Sequence, residues 1–238
     1  RAQINYYRNE KKDNLTIMVG NLNDMNLGQQ YDYVVVNGVL EYAMSFTEGD
    51  TPYETFLGKM GSYLKNTGKL LIAIENKLGM KYFAGAPEDH TDIPFFGING
   101  YPENHSVRTF SKTELQELVK KSGFPFQKFY YPYPDYKFPT EIFTDASLTT
   151  NHYGKNYPIY TDKTVDLFSE SAGTEAMKKE QIADRFVNSF LLVAGKQELE
   201  EKEEILYVKL NQGRRKEFRT LTQLVRKEES VWAEKKPL

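Results

Sequence analysis

The chain has no cysteine, which excludes disulfides, thiolate-ligated zinc and thiol nucleophiles. It has one tryptophan and three histidines, so imidazole chemistry rests on very few positions. An excess of charge of one sign is also lacking. Lys and Arg number 31 and Asp and Glu 33, a formal net charge of −2, so no long-range field draws the chain to nucleic acid or to an anionic membrane. No apolar run approaches the roughly 20 residues of a membrane span, and no signal peptide opens the chain. These absences fit a cytoplasmic setting. An initiator methionine is missing too. The sequence opens on RAQINYYRNEKK, which reads as a segment cut from a longer polypeptide.

What is present is a core-forming composition, 39% apolar and 14% aromatic, arranged in alternating strand and helix patterns. Residues 1–12 read as a helix broken at Asp13-Asn14. Leu15–Val19 is a short β-rich run stopped by Gly20-Asn21. Tyr31–Val36, with Val34, Val35 and Val36 β-branched, reads as a strand buried on both faces. Thr51-Pro52-Tyr53-Glu54 starts a helix with a cap, a first-position proline and a capping-box glutamate. Tyr53, Phe56, Leu57, Met60 and Leu64 give it one apolar face, and Asn66-Thr67-Gly68 ends it. Leu70–Ile74 is a further buried strand.

A second capping box, Ser111 with Glu114, opens a helix that Gly123 stops. Phe126–Tyr131 and Ser189–Ala194 are later strands, and residues 162–186 are mostly helical with a break near Gly173. The alternation predicts an α/β sheet with right-handed crossovers. Residues 197–204 form a charged bridge. Ile205–Leu210, the turn 211–213 and Phe218–Val225 then read as an antiparallel hairpin. The expected division is therefore a first domain over 1–196, with 197–238 as linker and hairpin, either the start of another domain or a packing arm.

The ordered set GNLND, YDYVVVNGVLEY, LKNTGKLLIAIEN, RTFSKTEL and a final apolar strand resembles the distal part of a class I S-adenosylmethionine-dependent methyltransferase. The run NKLGMKYFAGAPEDHT further resembles modules of bacterial multidomain proteins that also carry glycosyltransferase domains. The resemblance implies a truncated doubly wound, Rossmann-like sheet that lacks its first two strands and has a reversed edge strand. It implies S-adenosylmethionine as cofactor, lying across the carboxyl ends of the strands. Asn21 and Leu22 would meet the adenine, and Asn37 and Gly38 the methionine part. The glycine-rich turn and the ribose-binding acid of the family are not in the chain, so the isolated segment is expected to bind cofactor weakly or not at all and to be inactive alone. The implied reaction is O-methyl transfer to a glycan or related small acceptor. The alternative is a non-catalytic scaffold, or a homodimer through exposed strand edges.

Each site residue also has a plainer reading. Asn37 either lines the cofactor or merely ends a strand, and Asn21 either meets adenine or forms a Gly-Asn turn. The segment Asn76–Phe110 is long for a connection and is expected to shape the acceptor site. In it His90 is a candidate base, oriented by Asp89 or Asp92, or else part of a turn. Glu41 and Tyr82 are candidate acceptor contacts, and Arg108 either holds an anionic group or pairs with a nearby acid. The histidines and carboxylates lack helical metal-ligand spacing, so no metal is expected. The acids among Lys209, Arg214, Arg215, Lys216 and Arg219 argue against a nucleic-acid patch.

Overall fold

The computed structural model describes residues 14–102, 106–149, 163–199 and 204–238. It is a mixed α/β structure built on one open, mixed sheet of eight strands. The strands are β1 (Tyr31–Asn37), β2 (Leu64–Glu75), β3 (Phe126–Tyr133), β4 (Glu141–Phe143), β5 (Ser189–Gly195), β6 (Glu204–Asn211), β7 (Thr220–Lys227) and β8 (Ser230–Pro237). Their spatial order is β1-β2-β5-β3-β4-β6-β7-β8. β1 and β2 are parallel, with Val34 opposite Leu70 and Asn37 opposite Ala73. The other neighbours are antiparallel.

The reversed strand is present but interior. β5 lies between β2 and β3 and is antiparallel to both. Its sequence explains the position. Phe190, Leu192 and Ala194 are fully buried, and a strand so apolar needs a neighbour along each edge.

Helix α1 (Pro52–Ser62) links β1 to β2 and buries Tyr53, Phe56, Leu57 and Met60, the face its spacing predicts. Pro52 occupies the first turn, but Thr51 makes no side-chain cap, so the expected capping box is not formed. The helix ends before Leu64, and residues 66–68 belong to β2. Helix α2 (Lys112–Lys121) has the predicted box. Ser111 accepts from the Glu114 N–H, and Glu114 accepts from the Ser111 N–H at 2.8 Å.

Helix α3 (Glu170–Lys179) runs through Gly173 without a break. Glycine is needed there for space, since a Cβ would lie 2.7 Å from Phe168 and 2.9 Å from Met80 Sδ. The break falls instead at Gln181, where φ is +59°, before a short turn of helix at Ala183–Phe186.

Other expectations are corrected. Leu15–Val19 is not a strand, and Met18 and Val19 are exposed. β1 is consequently an edge strand, and Tyr33 and Val35 project 62% and 64% exposed, so it is not buried on both faces. A β-branched run sets strand propensity, but burial requires a neighbour, and among the described residues β1 has only β2. The C-terminal hairpin gains a third strand, β8, and β6 pairs with β4, which joins this meander to the rest of the sheet. The helix expected over residues 1–12 lies outside the described residues. No helix among the described residues is long and apolar enough to cross a membrane.

Candidate functional site

Because β1 and β2 run the same way, their carboxyl ends open on one rim of the sheet. Asn37 ends β1 and Glu75 ends β2. The chain then turns at Gly38, whose φ is +62° and whose N–H donates to the Ala73 carbonyl at 2.9 Å. A Cβ at Gly38 would lie 2.7 Å from the Tyr136 hydroxyl and 3.6 Å from Glu41 Oε1. Glycine thus serves both the left-handed backbone and the close approach. The helical turn Leu40–Tyr42 that follows carries Glu41 into the interior.

Three residues converge there. Glu41 is 2% exposed and Glu75 is fully buried, and His90 comes from the long segment after β2. One ligand atom from each lies within 4.8 Å of the other two. The charge on Glu75 is answered: Lys137 Nζ ion-pairs with it, and the Tyr136 hydroxyl lies 3.4 Å from each of its oxygens. Glu41 is different. Its Oε2 has no hydrogen-bond partner, and burial, reinforced by the charge of Glu75, pushes its carboxyl up to about 7.

The His90 ring is held from one side. Its Nδ1 is 3.1 Å from the Tyr42 hydroxyl, and the two rings meet edge to face at 5.3 Å. Its Nε2 is buried and unpartnered. Glu88 sets the loop, since its Oε2 accepts from the N–H groups of His90 and Thr91, each at 2.9 Å. Arg108 closes the far end of the segment by donating its N–H to the Glu41 carbonyl at 3.1 Å.

Of the residues singled out in the sequence, the structure brings Gly38, Glu41 and His90 together and ties the Arg108 backbone to them. Asn37 stands exposed at the rim. The Arg108 guanidinium lies over the Phe110 ring and 3.6 Å from Glu114, so it pairs with an acid. Asp92 points elsewhere, with φ +58° and an exposed ion pair to Lys163 at 2.5 Å. Asp89 does not orient His90 either. Its Oδ2 accepts from Lys81 at 2.6 Å and from the Tyr82 hydroxyl at 2.7 Å. Tyr82 is therefore an interior residue, 2% exposed. Asn21 sits in the turn before the short helix Leu22–Asp24, and Leu22 lines an apolar groove with Val36, Val39, Phe56 and Met60.

Glu75, Tyr136 and Lys137 are functional candidates that sequence reasoning missed. A carboxylate ending the apolar run Leu70–Ile74 was the available signal for Glu75. Tyr136 and Lys137 follow β3, and only the sheet order brings them to Glu75.

No family model matches the chain, and no curated protein matches it. Among solved structures it is similar to a protein named as an O-methyltransferase from Nostoc punctiforme PCC 73102, with a TM-score of 0.33 and 16% identity over 49% of this chain and 32% of that one. It is also similar to PKMT2 from Rickettsia typhi, with a TM-score of 0.32 and 9% identity over 89% of this chain and 48% of that one. The chain thus spans less than half the length of either, and the likeness to methyltransferases is a distant one.

Proposed function

We propose that this chain forms the acceptor side of a site that transfers a methyl group from S-adenosylmethionine to an oxygen of a glycan or related small acceptor. The observation that carries the reading is the polar cluster under the rim of β1 and β2. There Glu41 Oε2 and His90 Nε2 are buried and unpaired beside an ion-paired Glu75. Buried polar atoms without partners are costly and mark places where a ligand completes the bonding. The resemblance of GNLND, YDYVVVNGVLEY and LKNTGKLLIAIEN to segments of class I methyltransferases supports the same reading, in which β1, β2, β3 and β5 would be the distal strands of a doubly wound sheet. In that frame Asn37 and Gly38 would hold the methionine part of the cofactor, and Asn21 with Leu22 the adenine.

When bound, S-adenosylmethionine supplies a methyl group activated by its sulfonium charge. The residues of this chain do the rest by position. The acceptor enters past the rim residues Asn37, Tyr42 and Lys137. Its hydroxyl oxygen would receive the methyl group that the cofactor supplies, with the thioether as leaving group. The hydroxyl proton passes to Glu41 Oε2, whose carboxyl is tuned near neutrality, as a general base requires. His90, steadied by Tyr42, offers the second polar contact.

The test is calorimetric titration of S-adenosylhomocysteine into the native polypeptide that carries residues 1–238, followed by transfer from labelled S-adenosylmethionine to a panel of sugar hydroxyls. The expected outcome is saturable binding, with Glu41→Gln keeping that binding and losing about 100-fold in transfer rate. Absence of binding overturns the proposal.

One observation favours a scaffold instead. Among the described residues β1 pairs only with β2, and Tyr33 and Val35 are exposed, a template for pairing with a second chain. A dimer in sedimentation that Tyr33→Lys dissociates, together with no binding of S-adenosylhomocysteine, establishes that reading.

A further inference from the structure

We propose that Glu41, Glu75 and His90 form a binding site for a divalent first-row transition ion. The ligand atoms come from three separate parts of the chain: the turn after β1, the last residue of β2, and the loop held by Glu88. All three lie within 4.8 Å of one another, and an ion at about 2.0–2.2 Å from each would draw the two carboxylates and the imidazole together. The set is more than a group of acids. Glu41 is 2% exposed, its carboxylate offers an oxygen to the cluster, and its Oε2 is sealed from solvent and free of any hydrogen bond. His90 Nε2 is likewise buried and free, while Nδ1 is held by the Tyr42 hydroxyl at 3.1 Å. An imidazole ligand commonly has its other nitrogen fixed in this way.

The charge of the cluster favours a cation. Both free atoms are buried, and a bare ion is small enough to bond to the two at once. Two buried carboxylates face one ammonium, that of Lys137, which pairs with Glu75 from a half-exposed position at the rim. The ammonium answers one negative charge and leaves the other. A dication answers both. Two carboxylates with one imidazole favour Mn²⁺ or Zn²⁺ over the all-oxygen preference of Ca²⁺ and Mg²⁺. Three protein ligands leave positions open for water or an acceptor oxygen, as in catalytic rather than structural sites. In the loaded protein Glu41 is a ligand, and the acidity of an ion-bound hydroxyl replaces its basicity.

The inference does not depend on methyl transfer, and its test contains no cofactor. Untagged protein is titrated with Mn²⁺ and with Zn²⁺ by calorimetry, and the Mn²⁺ sample is examined by pulsed electron paramagnetic resonance. The expected result is one saturable site with a directly coordinated nitrogen. His90→Ala abolishes the nitrogen signature, Glu41→Gln weakens binding at least tenfold, and Lys137→Met tightens it by removing the competing ammonium. The nitrogen signature is read on the parent protein, so the test survives a variant that fails to fold. No saturable binding of either ion overturns the proposal, as does bound Mn²⁺ with no coordinated nitrogen.

Discussion

Two buried polar clusters, one around Lys81 and Asp89 and one around Glu41, Glu75 and His90, differ in how completely they are bonded. In one, Lys81 reaches Asp89 at 2.6 Å and Asp135 at 3.6 Å, and Tyr82 donates to the same Asp89 oxygen. Asn188 accepts from the Lys81 N–H at 3.0 Å and donates to Glu170 at 2.7 Å. Burial pushes the Asp89 carboxyl upward, but the Lys81 ammonium and the hydrogen bonds from Lys81 and Tyr82 outweigh it and hold Asp89 below its ordinary value. No side-chain atom of these six residues is left buried and unpaired. In the other cluster Glu41 Oε2 and His90 Nε2 have no partner, and the Glu41 carboxyl is pushed up to about 7. The first arrangement braces the long segment after β2 against β5 and the loop beyond β3. The second has bonding capacity left over, which a folding brace has no use for and a binding site requires.

The largest effect that sharpens this contrast is expected at Lys81. Lys81→Met leaves Asp89 and Asp135 without their buried counter-charge and is expected to cost about 3–5 kcal/mol in chemical denaturation. A loss below 1 kcal/mol would show that the closed cluster is not a brace.

Glu41→Gln is expected to act in the opposite direction. The folded-state value of Glu41 lies above its ordinary 4.5, so its contribution to stability is fully present below pH 4.5 and is lost as pH rises through about 7. With chelator present, Glu41→Gln and the parent are expected to be equally stable at pH 4. At pH 8 the variant is expected to be the more stable by up to about 3 kcal/mol. Denaturant midpoints that differ equally at both pH values would break the distinction between the clusters.

The smallest effect is expected at Lys65, whose Nζ lies 2.8 Å from Asp32 on the exposed edge of the sheet. Lys65→Ala is expected to leave the thermal midpoint unchanged within error, because water screens that pair. A clear loss would mean that proximity of charges, rather than burial, governs both clusters.

Much of the local structure is legible in the residues. The valines of β1, the helical spacing of Tyr53, Phe56, Leu57 and Met60, and the Ser111–Glu114 capping box each specify their element through contacts a few residues apart. The same kind of reading fails where the outcome depends on distant partners. Leu15–Val19 has strand-forming residues but no strand, and Gly173 resembles a helix breaker yet sits within α3 because Phe168 and Met80 press against it. In the site, Glu41, Gly38 and His90 stand out in sequence as polar or turn residues near predicted strand ends. Their roles do not, since Asp89 and Asp92 are as near to His90 in the chain as any carboxylate and face away from the cluster.

Composition and pattern therefore settle which chemistries are open to this chain and where most strands and helices lie, because propensity, capping and periodicity are short-range effects. The insertion of β5 between β2 and β3 is a long-range matter. It depends on which apolar faces bury each other, and it is what places Tyr136 and Lys137 over Glu75. Whether a buried carboxylate finds a counter-charge, as Asp89 does and Glu41 Oε2 does not, is decided only when segments remote in the chain are packed together and water is excluded.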